Sequence, residues 1–87
     1  MRIEAAFGII LAEQRKKAKL TQEALAHECG LDRTYISLLE RGLRQPSLKT
    51  IFSIGSVLGM SPSKLIELVE NIKSCDDYQR SNEKLRL

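Results

Sequence analysis

The sequence predicts an all-α protein of five helices, and three observations carry that prediction. Apolar residues recur at helical rather than alternating spacing, small polar residues stand before each apolar run from the second onward, and glycines close three of the runs. Nothing reads as a strand, an internal repeat or a low-complexity segment. At 87 residues, 43% hydrophobic and 29% charged, the chain has the composition of one small ordered domain with a single core. That domain is expected over residues 1–73, with a polar, frayed tail over 74–87.

The first helix is predicted from Ile3, Ala6, Phe7, Ile10 and Leu11, with Ala18 in step beyond them. Arg15, Lys16, Lys17 and Lys19 fall at its end, where the helix dipole favours cations. These read equally as a solvated helix end or as phosphate contacts. Thr21 suits an N-cap for a short second helix beginning at Gln22, with Leu25 and Cys29 on its inner face and Gly30 as its stop. Asp32 is expected to cap a third helix, Arg33 to Arg41, ended by Gly42. Two short helices flanking a glycine turn form a helix-turn-helix, which holds its second helix clear of the body.

Ser47 is the predicted cap of a fourth helix with Leu48, Ile51, Ile54, Gly55 and Leu58 on its inner face. Gly55 costs roughly 1 kcal/mol of helix propensity relative to alanine, so close approach of another helix is expected there. Gly59 stops this helix, and Ser61-Pro62 opens a fifth that contains Leu65, Ile66, Leu68, Val69 and Ile72.

Fourteen basic against eleven acidic residues give a net charge of +3, and the excess sits in the first part of the chain. Through residue 60 there are nine basic and six acidic side chains, while residues 61–87 hold five of each. A polyanionic partner is permitted by this balance. Cys29 and Cys75 are far apart and lack metal-type spacing, and His27 does not complete a zinc site with them. No metal or other cofactor is therefore implied. Cys29 reads as a small core residue. No secretory signal or apolar run near the roughly 20 residues of a membrane span is visible, so a cytoplasmic, nucleoid-associated location with no membrane partner is expected.

On a helical wheel, Ile36, Leu39 and Glu40 of the third helix point one way, and Thr34, Leu38 and Arg41 the other, with Ser37 beside the outward group. Arg33 lies in the first turn, where a helix entering a groove reaches base edges. Arginine pairs bidentately with guanine, threonine and serine hydrogen-bond to several bases, and apolar groups cover a thymine methyl. Arg33 is thus the leading base reader. Leu38 either meets a thymine or lies partly under the following loop. Tyr35 points sideways and either donates to a phosphate or borders the core. Gln22, at a helix N-terminus, is placed to approach the DNA backbone. Arg44 and Lys49 read as phosphate contacts or as solvated surface, Lys49 being a cation set against its helix dipole.

Thr21-Gln22-Glu23-Ala24-Leu25-Ala26, Gly30 through Ser37, Leu39-Glu40-Arg41-Gly42 and Pro46-Ser47-Leu48 together resemble the Cro/C1-type (XRE) helix-turn-helix family over roughly residues 5–72. Leu31 to Arg41 is especially similar to the controller proteins of restriction-modification systems. The resemblance implies a lambda-repressor-like five-helix domain and a sequence-specific regulator that binds a double-stranded palindromic operator as a homodimer. It implies that Arg33, Thr34, Tyr35, Ser37 and Leu38 face the operator and that Gln22 touches a phosphate. Further, it implies an ion pair between Arg15 and Glu40, which takes Arg15 off the DNA list. Dimers of the family usually form through C-terminal helices, which nominates Phe52, Val57, Leu65, Val69 and Ile72. Leu38 departs from the glycine or small residue found at this place in many controller proteins.

An alternative within the same fold is an antitoxin that binds DNA and also a protein toxin, with the stretch after Ser74 as the toxin-binding segment. An enzyme is not expected, because no nucleophile stands at recognisable spacing from a base and no glycine-rich phosphate loop is present. No small-molecule effector site is visible.

Overall fold

The structure is a computed structural model that describes residues 1–72. Five helices follow in order: α1 Ile3–Lys17, α2 Gln22–Cys29, α3 Arg33–Glu40, α4 Leu48–Leu58 and α5 Pro62–Glu70. No strand occurs among the described residues. The expectations placed on the tail, on Cys75 and on a toxin-binding segment after Ser74 lie outside them.

Each boundary has a local cause. The Thr21 hydroxyl accepts from the Ala24 N–H at 3.0 Å, Ser47 accepts from Thr50, and Ser61 accepts from Lys64 ahead of Pro62. Each cap satisfies a first-turn donor that has no partner within its helix. Asp32 occupies the N-cap of α3, but its side chain makes no capping bond, so its expected role reduces to backbone geometry. Gly30 turns α2 into α3 in the left-handed conformation, at φ 68°, and the Leu31 N–H returns to the Ala26 carbonyl at 2.8 Å. Past α1, Lys19 adopts the same region at φ 60° without being glycine, so it lies beyond the helix rather than in its last turn.

α1 packs on α3 and α5, α2 on α3 and α4, and α4 on α5. Leu11, Leu25, Ile36, Leu39, Ile54 and Leu65 are fully buried where these helices meet. Each contributes about 1.5–3 kcal/mol relative to exposure. Leu48 was expected on the inner face of α4, yet it is 72% exposed. As the first residue after the cap, it sits on a turn that projects past the core.

Two glycines are required by close approach. A Cβ on Gly8 would lie 2.5 Å from the backbone oxygens of both Leu39 and Glu40, so α1 and α3 meet backbone to backbone. A Cβ on Gly55 would lie 2.6 Å from the Met60 carbonyl oxygen. What excludes a side chain from Gly55 is therefore the chain's own turn into α5, where the Met60 N–H also donates to the Gly55 carbonyl at 2.9 Å. The expected neighbouring helix is not the cause.

Candidate nucleic-acid interface

α3 is anchored from behind. Ile36 and Leu39 are fully buried, and Glu40 accepts from Arg15 Nε at 2.6 Å and Arg15 Nη2 at 3.1 Å. Arg15 Nη1 also donates to the Leu20 carbonyl at 2.8 Å, so one guanidinium ties together α1, the link to α2 and the last turn of α3. Both side chains of this pair are largely removed from water, at 12% and 7% exposure. The planar fork meets the carboxylate in two places, which is the geometry that offsets the desolvation of two charges.

Gln22 joins the same cluster, its Nε2 donating to Glu40 Oε1 at 2.9 Å. It is half-buried, and the bond leaves a second N–H and the carbonyl oxygen of its amide for other partners. Its place at the first turn of α2 is thereby fixed relative to α3.

The opposite side of α3 is open. Arg33 and Thr34 are exposed, Ser37 and Leu38 are half-buried, and Arg41, the C-cap residue, is exposed. The chain folds back directly after, with the Leu43 N–H donating to the Leu38 carbonyl at 2.9 Å. Leu43 and Leu48 both stand out from this loop region, at 57% and 72% exposure, and neither exposure is legible from spacing alone.

Tyr35 links α3 to α4. Its ring is half-buried against the core, its hydroxyl lies 3.5 Å from Thr50 Oγ1, and the guanidinium carbon of Arg44 sits 5.7 Å from its ring centroid. That distance is within the reach of a cation–π interaction. Arg44 is thus an exposed cation held to the α3 side of the loop, and Lys49 is exposed in the first turn of α4.

The proposed partner-helix residues separate into two groups. Leu65 is fully buried and Val69 is 4% exposed, so both belong to the core of the protomer and leave the candidate interface. Phe52 is 58% exposed, and Val57 and Ile72 are half-buried. Ile72 lies past the end of α5 rather than within it. Ile66, 44% exposed on α5, was not singled out from the sequence. The stripe of Leu65, Ile66, Leu68, Val69 and Ile72 is too wide for spacing to say which of its members turn outward.

A shallow groove of about 370 Å³ between α2 and α4 is lined by Cys29, Phe52 and Val57 together with polar neighbours. Burial pushes the Cys29 thiol up from its ordinary value, and the nearby Glu28 charge adds to the effect. Its Sγ lies 3.8 Å from the Ser53 carbonyl oxygen. Cys29 is therefore a protonated packing residue at neutral pH. No helix among the described residues is long and apolar enough to cross a membrane.

A helix-turn-helix family profile matches residues 11–65, which contain the end of α1, all of α2, the Gly30 turn, α3 and α4, and the first turn of α5. Control protein C.BamHI of Bacillus amyloliquefaciens is 45% identical over 60 residues, covering 69% of this chain and 73% of that protein. Control protein C.MunI of a Mycoplasma species is 41% identical over 69 residues, covering 78% and 93%. The crystal structure of the restriction-modification controller protein C.AhdI from Aeromonas hydrophila superimposes with a TM-score of 0.69 at 40% identity, covering 71% of this chain and 94% of that one. These relatives are regulators and not enzymes. With its capped α2, left-handed Gly30 turn and outward α3, the chain belongs to the Cro/C1-type helix-turn-helix family of transcription regulators and is similar to restriction-modification control proteins.

Proposed function

We propose that the protein binds a palindromic DNA operator as a homodimer, with α3 in the major groove, and regulates the genes of a restriction-modification system. The observation that carries the reading is the division of α3 into an anchored face and an open one. Ile36, Leu39 and Glu40 fix the helix, while Arg33 and Thr34 are presented to solvent with Ser37 and Leu38 beside them. In this reading Arg33 pairs with a guanine, Thr34 and Ser37 accept or donate at neighbouring bases, and Leu38 covers a thymine methyl. Gln22, Tyr35, Arg44 and Lys49 contact phosphates and set the register of the helix.

Phe52, Val57, Ile66 and Ile72 supply the partner surface, Phe52 and Ile66 being exposed and Val57 and Ile72 only partly buried by the protomer. A twofold pair of protomers places two copies of α3 about one DNA turn apart, which requires a palindrome. The genes follow from the likeness to control proteins, two of them at 40% identity or more over most of their length.

Selection of binding sites from a random duplex library, followed by affinity measurements on the best site at several salt concentrations, tests the reading. A palindromic motif bound with steep salt dependence is expected. Enrichment of no motif overturns it.

A further inference from the structure

Thr50 is the one polar residue buried as a whole among the described residues, at 6% exposure, and no part of the DNA reading given above uses it. It sits three residues into α4, at the centre of a chain of hydroxyls. Ser47 Oγ accepts from the Thr50 backbone N–H at 3.1 Å and donates its own proton to Thr50 Oγ1 at 2.9 Å. Thr50 Oγ1 in turn faces the Tyr35 hydroxyl at 3.5 Å, and the Arg44 guanidinium lies over the same tyrosine ring.

Either hydroxyl can be the donor in the contact between Tyr35 and Thr50, and Thr50, which accepts from Ser47, retains its own proton to offer to the phenolic oxygen of Tyr35. A tyrosine oxygen that accepts from within the protein keeps its proton for a partner outside. Such a chain also polarises each successive O–H toward the outer end. The ring that it fixes carries Arg44, so one buried hydroxyl sets both a donor and a cation.

We propose that Thr50 is a positioning residue for DNA binding: through its hydroxyl it orients the Tyr35 phenol for donation to a phosphate and holds the ring on which Arg44 rests. The proposal rests on the DNA reading above and adds to it a residue that touches no DNA.

Thr50→Val removes the hydroxyl at nearly constant volume and shape, and Thr50→Ser keeps the hydroxyl while removing the methyl. Affinity for the selected operator is measured for both, for Tyr35→Phe, and for Thr50→Val combined with Tyr35→Phe, with thermal melting of each variant alongside. Thr50→Val is expected to weaken binding roughly three- to tenfold, the loss corresponding to one hydrogen bond. Thr50→Ser is expected to bind as the parent does, and the double variant no worse than Tyr35→Phe alone. Wild-type affinity in Thr50→Val, equal losses in Thr50→Val and Thr50→Ser, or losses that multiply in the double variant each overturn the proposal. Should Thr50→Val fail to fold, Thr50→Ser decides: parental affinity in a variant of reduced melting temperature supports the hydroxyl, and weakened affinity overturns it. A parent protein that enriches no motif overturns the DNA reading and this proposal together, whereas a parent with a motif and an indifferent Thr50→Val overturns this proposal alone.

Discussion

Gln22 and Glu40 are joined by a 2.9 Å hydrogen bond across 18 residues of sequence, from the first turn of α2 to the last residue of α3. The same carboxylate takes both ends of the Arg15 fork. Three side chains from three helices thus share one small buried site, and its removal has effects on two levels.

Glu40→Ala leaves the Arg15 guanidinium largely buried without its counter-charge, at a cost of about 3 kcal/mol. In urea denaturation at fixed protein concentration the midpoint should fall sharply with little change in slope. At temperatures where the variant remains folded, DNA affinity should fall as well, since Gln22 loses the partner that orients it. A midpoint within error of the parent's would remove the pair from any structural role.

Gly8→Ala drives a methyl into the carbonyl oxygens of Leu39 and Glu40, and backbone cannot rotate away as a side chain can. Separation of α1 from α3 should cost about 1–3 kcal/mol. Gly30→Ala provides the comparison, because a Cβ there meets nothing within 4 Å and only the left-handed φ is strained. The Gly8 variant should melt at the lower temperature of the two.

Arg33→Ala and Lys49→Ala should weaken operator binding in different ways. Loss of a bidentate base contact costs about 1–3 kcal/mol and relaxes the preference at a single base position. Loss of a phosphate contact weakens all sequences alike and lowers the slope of log affinity against log salt by about one. Salt titrations on the operator and on one-base variants of it separate the two, and identical profiles would contradict the division of roles.

Phe52→Asp places a charge on an apolar side chain that the protomer exposes, and should convert a dimer to monomers in sedimentation equilibrium without changing the far-ultraviolet circular dichroism. Leu65→Asp, at a fully buried position, should unfold the chain instead. A Phe52→Asp protein that remains dimeric would move the partner surface elsewhere.

Most of the fold was legible because its punctuation is local. Thr21, Ser47 and Ser61 each act on an N–H three residues ahead, and Gly30 and Gly59 need no distant neighbour to adopt positive φ. Periodicity placed Ile36 and Leu39 inward and Thr34 and Arg41 outward for the same reason. What escaped is whatever depends on which other helix lies opposite. Gly8 carries no signal in its own neighbourhood, since its role is set by carbonyls 31 and 32 residues later. Leu65 and Ile66 are adjacent and equally apolar, and only the placement of α1 and α4 buries the first and exposes the second. Asp32 has the chemistry of a cap without its bond, which depends on a side-chain rotamer that spacing does not specify. Thr50 looked like any polar residue in a first turn, and the Ser47-x-x-Thr50 pairing was the available hint of its inward direction.

The two faces of α3 share a helix but almost no neighbours. Substitutions at Arg33 or Thr34 disturb neither the Gly8 contact nor the Glu40 cluster, and exposed positions of this kind usually change stability by no more than about 0.5 kcal/mol. If α3 reads bases as proposed, a lineage can change the DNA site it prefers without endangering the fold, and two copies in one cell would each come to answer to a separate site after a few such changes.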